Sequence, residues 1–172
     1  MSKKAKVGLA ISVVLLALVT WFGVALYSNI PQSPVLGLES FYEREVAEDQ
    51  IMDPLILVGP EVIPLLEKEV INPGMTNRRY AIGALGNLGS KASLPLLEKL
   101  ASAKSEINYI RCDALAAMGM IDYQEGLRVT KSVKGDGLQC IAEIASDSDY
   151  AKWMKSNALR RTYFQALLGR HS

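Results

Sequence analysis

The chain has 172 residues, a formal net charge of +1 and 49% hydrophobic residues. That length holds one modest domain plus extensions, and so balanced a charge supplies no field for nucleic acid, which is set aside as a partner. Lys3, Lys4 and Lys6 stand ahead of the first apolar run, so the remainder of the chain is slightly acidic.

Val7 to Tyr27 reads VGLAISVVLLALVTWFGVALY, without a formal charge. As a helix it is roughly 31 Å long, against a hydrocarbon core of about 30 Å. The run has no polar face, exceeds the usual apolar core of a signal peptide, and ends at Leu26-Tyr27-Ser28-Asn29 without a small-x-small cleavage site. It is therefore read as an uncleaved transmembrane signal anchor over residues 7–28, with a cleaved signal peptide as the rival. Three lysines precede it, and Arg44 is the one basic residue between Asn29 and Asp53, so residues 1–6 form a cytoplasmic tail. In a bacterium this is a single-pass inner-membrane protein with its C-terminal domain in the periplasm. Trp21 and Tyr27 suit the outer interface.

Residues 29–38 contain Pro31, Pro34 and Gly37 and no helical stripe, which predicts a linker. Helical patterning begins near Glu39 and holds to the end, giving a domain over 39–172. Phe41, Tyr42, Val46 and Ile51 punctuate an acidic run, a solvated face by default and an acidic docking edge as the alternative.

Asn77 to Leu100 predicts two short helices joined at Gly89. Ala81, Ile82, Ala84, Leu85 and Leu88 form one apolar stripe, and Leu94, Leu96, Leu97 and Leu100 form another. A lone pair cannot bury both, so similar neighbours are expected. Gly59, Gly89 and Gly119 are 30 residues apart, and in that register Leu55, Leu85 and Leu115 form one apolar column, Met52, Ile82 and Cys112 another. Ile63-Pro64-Leu65-Leu66-Glu67-Lys68 matches Leu94-Pro95-Leu96-Leu97-Glu98-Lys99, each proline near a helix start, where its missing amide costs little.

On Arg78, Ala81, Ala84-Leu85-Gly86, Leu88-Gly89 and the Pro-Leu-Leu second helices, the chain resembles the HEAT-repeat family, in particular its short bacterial HEAT-like repeats. The resemblance covers about Phe41 to Val133. It implies an all-α fold, a helical-hairpin solenoid of about three to four repeats, here behind a single transmembrane helix. The third unit departs from the pattern, with Asn108 where Arg78 stands and Arg111 where Ala81 does. A fourth pair is expected after Lys134-Gly135-Asp136-Gly137, with Asp147-Ser148-Asp149 capping one last helix from Tyr150.

Catalysis is not expected. The single histidine, His171, is next to the last residue, and no HExxH, CxxC, nucleophile elbow or Walker loop is present. No metal or cofactor is expected. Cys112 and Cys140 allow two readings, a small buried hydrophobe at Cys112 or a Cys112–Cys140 disulfide permitted by an oxidising compartment. Candidate protein contacts are Glu67, Lys68, Glu98 and Lys99 along the second helices. Arg160 and Arg161 join them, on a last helix that carries cations and no acid.

The resemblance implies binding by surface rather than turnover: a scaffold or accessory subunit that meets a protein partner in or near the inner membrane. The alternative it implies is a chromophore-lyase-like enzyme, or a chaperone-like factor of that group, in which a cysteine accepts an adduct.

Overall fold

The computed structural model describes residues 3–28, 30–45, 48–145, 149–156 and 160–169. Val46, Asp147, Ser148, Arg170 and His171 lie outside them. Every regular element among the described residues is helical, and the chain divides into a unit through Ile30 and a second from Pro31.

The first unit is one helix, α1 (Lys3–Ser28). Its span Ile11–Ser28 is long and apolar enough to cross a membrane, and none of it is buried against protein. The Thr20 and Ser28 hydroxyls donate to the carbonyls of Leu16 and Ala25, both at 2.8 Å, so these polar atoms are satisfied within the helix itself.

In the second unit the expected linker is shorter than 29–38, because α2 spans Pro34–Tyr42. Ser33 caps it, its side chain accepting from the Leu36 amide, and Pro34 sits in the first turn, where proline is tolerated. The Ser-Pro pair starts a helix rather than extending a stalk. α2 buries Leu38 and Phe41 and lies so close to α3 that a β-carbon on Gly37 would fall 2.5 Å from Val58.

Three hairpins follow: α3 (Asp53–Val58) with α4 (Ile63–Glu69), α5 (Arg78–Leu88) with α6 (Leu94–Ser102), and α7 (Asn108–Ile121) with α8 (Tyr123–Ser132). First helices contact first helices, α3 with α5 and α5 with α7. Each second helix contacts the next first helix, α4 with α5 and α6 with α7. Leu55, Leu85 and Leu115 are fully buried at the centre of this stack. Gly59 and Gly89 end α3 and α5 at positive φ, which favours glycine.

Gly119 does not end a helix. It lies inside α7, buried, where the α8 backbone at Gly126 approaches so closely that a β-carbon on Gly126 would sit 2.7 Å from the Gly119 Cα. Asp122 instead divides α7 from α8, its side chain accepting from the Gln124 and Glu125 amides. The side-chain bonds give the third unit a register three residues later than the glycine spacing. Arg78 donates Nε to the Val70 carbonyl at 2.7 Å and pairs with both Glu106 oxygens at 2.6 and 2.8 Å. Arg111 donates Nε to the Ala101 carbonyl at 2.8 Å and pairs with Asp136. Arg111 is thus the counterpart of Arg78, and Ala117-Met118-Gly119 of Ala84-Leu85-Gly86. Both registers give apolar columns because a shift of three stays on one helix face.

Beyond α8, α9 (Cys140–Ala145) packs on α7 and α8, and α10 (Asp149–Ser156) on α7 and α9. The expected single last helix is broken. Thr162 and Gln165 form a capping box that starts a separate helix, α11 (Tyr163–Leu168), and α11 packs on α3 of the first hairpin.

Candidate functional site

The second-helix ridge is engaged within the protein. Glu67 accepts from the buried Ser93 hydroxyl at 2.6 Å, and Glu98 meets Arg128 at 2.8 Å, while Lys68 and Lys99 are exposed. The expected charged ladder is therefore tied down at its carboxylates and open at its lysines.

Arg160 and Arg161 are not a free basic surface. Arg161 is 6% exposed and forms a two-pronged ion pair with Asp53, which is 0% exposed. Its amide also donates to the Asn87 side chain. Arg160 donates to the Met120 carbonyl at 2.6 Å and lies against Gly89, where an added β-carbon would stand 3.1 Å from its guanidinium. The physical reason is a carboxylate buried in the first hairpin that needs countercharge, supplied in part by Arg44 at 3.6 Å and more closely by Arg161 from 108 residues away. Such a distance hides the pairing from any local pattern.

Cys112 and Cys140 are joined, with sulfurs 2.02 Å and Cα atoms 5.8 Å apart. Cys112 is half-buried rather than core, since in the bond-defined register it is the counterpart of the exposed Arg79 and not of Ile82. The disulfide ties α7 to α9 and lines a groove on the outer side of the first helices.

Two adjoining clefts make up that groove, of about 430 Å³ and 510 Å³, and they share Arg79, Ile107 and Tyr109. Tyr109, Cys112 and Asp113 fall on one face of α7 by their i, i+3, i+4 spacing. Arg79 and Tyr80 project from the first turn of α5, where the Arg79 guanidinium stands 5.4 Å from the Tyr80 ring centroid. Ile107 is 57% and Tyr109 53% exposed, large apolar surfaces on a repeat whose other face is tightly packed.

Electrostatics single out Asp113. Its Oδ2 is buried and accepts no hydrogen bond, and Arg79 Nε stands 3.5 Å away as an ion pair without hydrogen-bond geometry. Burial pushes the Asp113 carboxyl above its ordinary value, with the Arg79 charge pulling the other way. The Tyr80 hydroxyl is also raised, chiefly by burial and then by Glu48. No group of three or more His, Cys, Asp or Glu among the described residues is placed to hold a metal ion.

Arg79, Tyr80, Ile107, Tyr109 and Asp113 escaped the sequence reading. The available signal was an aromatic, Tyr109, placed off the Ile110, Ala114 and Leu115 stripe of its own helix.

The PBS lyase HEAT-like repeat family matches residues 78–102, which run from the start of α5 to the end of α6. No curated protein and no solved structure matches the chain. The chain thus carries a HEAT-like repeat, and such repeats are generally protein-interaction modules.

Proposed function

We propose that this chain is a membrane-anchored interaction protein: α1 crosses the inner membrane of a bacterium, and the hairpins form a short HEAT-like solenoid that binds a partner protein on the periplasmic side. Binding, not turnover, is its role. Lys3, Lys4 and Lys6, ahead of the apolar span of α1, support the orientation, and a disulfide in the helical domain suits an oxidising compartment. The observation that carries the binding reading is the groove across α5 and α7, with Ile107 and Tyr109 held out to solvent over a rigid stack. Exposed aromatic and aliphatic surface clustered with an arginine is the composition of a protein contact. The lyase alternative needs a thiol to take up an adduct, and both cysteines are held in the disulfide.

Crosslinking in intact membranes tests the reading. The wild-type chain is expected to capture a specific protein, Tyr109→Ala to lose it, and Lys68→Glu with Lys99→Glu on the opposite ridge to keep it. Capture that survives Tyr109→Ala sinks the groove as the contact.

A further inference from the structure

α11 is amphipathic in the opposite sense to a core-facing helix. Its sequence is YFQALL, and the residue it buries is the small Ala166, while Phe164 is 72% exposed and Tyr163 and Leu168 are exposed with it. Phe164 and Leu168, four residues apart, share one face, and the Tyr163 and Phe164 rings meet edge to face with centroids 6.2 Å apart. Helices of soluble domains turn their large apolar residues to the core, so this face is built for a contact outside the domain. It is also held in place. The Thr162–Gln165 capping box starts the helix, the Gly169 carbonyl accepts from Gln50 at 2.7 Å, and Arg161 just ahead of the cap is fixed to Asp53.

The length of the connection to α1 narrows what covers it. Residues 29–33 alone separate α1 from α2, and five residues reach at most about 18 Å. With α1 across the bilayer, α2 begins near the headgroups, and its first turn exposes Val35 and Leu36. α2 and α11 both pack on α3, and packed helix axes lie about 8–10 Å apart, so α11 is within about 20 Å of α2. Three side chains are far too small a patch for a stable protein interface. They suffice for a lipid contact that adds to an anchor already in the membrane, because the tether supplies a high local concentration. Tyr, Phe and Leu on a helix without charge suit the interfacial layer, where aromatic rings are favoured. Charge is not the attraction, since Glu39 and Glu43, exposed on and just after α2, would be repelled by an anionic surface.

We infer that the exposed face of α11 is a second membrane contact: Tyr163, Phe164 and Leu168 insert into the interfacial layer of the bilayer that α1 spans. This rests on the membrane-anchored reading above. The contact is apolar and independent of anionic lipid. It fixes the orientation of the helical domain on the membrane, which one flexible connection cannot do.

The test reconstitutes the full chain in vesicles of phosphatidylcholine, alone or mixed with phosphatidylglycerol. A photoreactive diazirinyl-phenylalanine replaces Phe164 or, separately, the exposed Tyr109 in the groove, and lipid adducts are measured by mass spectrometry after illumination. Adducts at position 164 are expected to exceed those at 109 about tenfold or more, equally in both vesicles. Leu168→Glu, at an exposed position the fold does not need, is expected to cut them about fivefold or more. Flotation of the vesicles through alkaline carbonate reports on α1 separately. A chain that floats without an excess of lipid adducts at 164, or that crosslinks there to a second copy instead, overturns the inference and leaves the anchor standing. An excess seen only with phosphatidylglycerol, or one that survives Leu168→Glu, overturns apolar insertion in the same way. A chain that fails to float removes the anchor, and the inference falls with it.

Discussion

Arg78 and Arg111 each tie three stretches of chain together, the end of one second helix, the start of the next first helix, and an acidic loop residue beyond. Their hydrogen bonds hold the Glu106 and Asp136 carboxyls below their ordinary values of 4.5 and 3.8. A carboxylate depressed in the folded state releases its proton more readily there than in the unfolded chain. Its stabilisation is therefore present above the unfolded value and is lost as pH falls through the folded one. Glu106→Gln is expected to lower the urea midpoint at neutral pH, and the gap from wild type is expected to close as pH drops below 4.5. A gap that stays constant across that range would mean the pair contributes nothing linked to protonation. At this scale the core was legible and the ion pairs were not. Leu55, Leu85 and Leu115 announce themselves by helical spacing, whereas the glycine spacing sets Arg111 opposite Ala81, because an apolar column tolerates a slip of three residues and the hydrogen bonds of Arg111 to Ala101 and Asp136 do not.

Among elements, glycine has two separate uses that a spacing rule cannot tell apart. Gly89 stops α5, while Gly86, Gly119 and Gly126 let helices touch through their backbones, a β-carbon on Gly86 falling 2.8 Å from the Ala117 Cα. Gly126→Ala is expected to destabilise the α7–α8 hairpin by about 1 to 3 kcal/mol, since backbone rather than a movable side chain stands in the way. Gly135→Ala, with nothing within 4 Å, is expected to be neutral or slightly stabilising. Thermal melts of the two variants side by side check this. The pairs α3–α4 and α5–α6 were legible because glycine and proline punctuate both. The break before α11 was missed because its signal, Thr162 with Gln165 three residues on, sits inside a run otherwise rich in helix formers. Most of the groove was not legible, since it is built from residues on α5, α7 and α9 that only their stacking brings together.

For the whole molecule, the membrane reading rests on the apolar span of α1 and the lysines at its N-terminal end. A reporter active only outside the cytoplasm, fused after Ser172, is expected to be active. Replacing Lys3, Lys4 and Lys6 with glutamate is expected to silence it by reversing the insertion. Activity that persists unchanged would detach the orientation from those charges.

The return of α11 to α3 bears on how the helical domain comes apart. A row of repeats joined only to its neighbours melts in stages, frayed ends first, because its stability is a sum of local terms. Here Arg161 couples the last segment to Asp53 in the first hairpin, so neither end can fray without breaking a buried ion pair. The domain is thereby expected to melt in one transition. Arg161→Ala, which leaves Asp53 with only the longer Arg44 ion pair at 3.6 Å, is expected to destabilise the domain and to split that transition, the first hairpin loosening before α5 and α7. Hydrogen exchange followed along the chain reads this directly: uniform protection from α3 to α8 in the wild type, and a gradient in the variant. Cooperativity in this protein is then a property of a few long-range bonds from the last segment, and a partner that strengthened or weakened them would set how much of the domain moves as a unit.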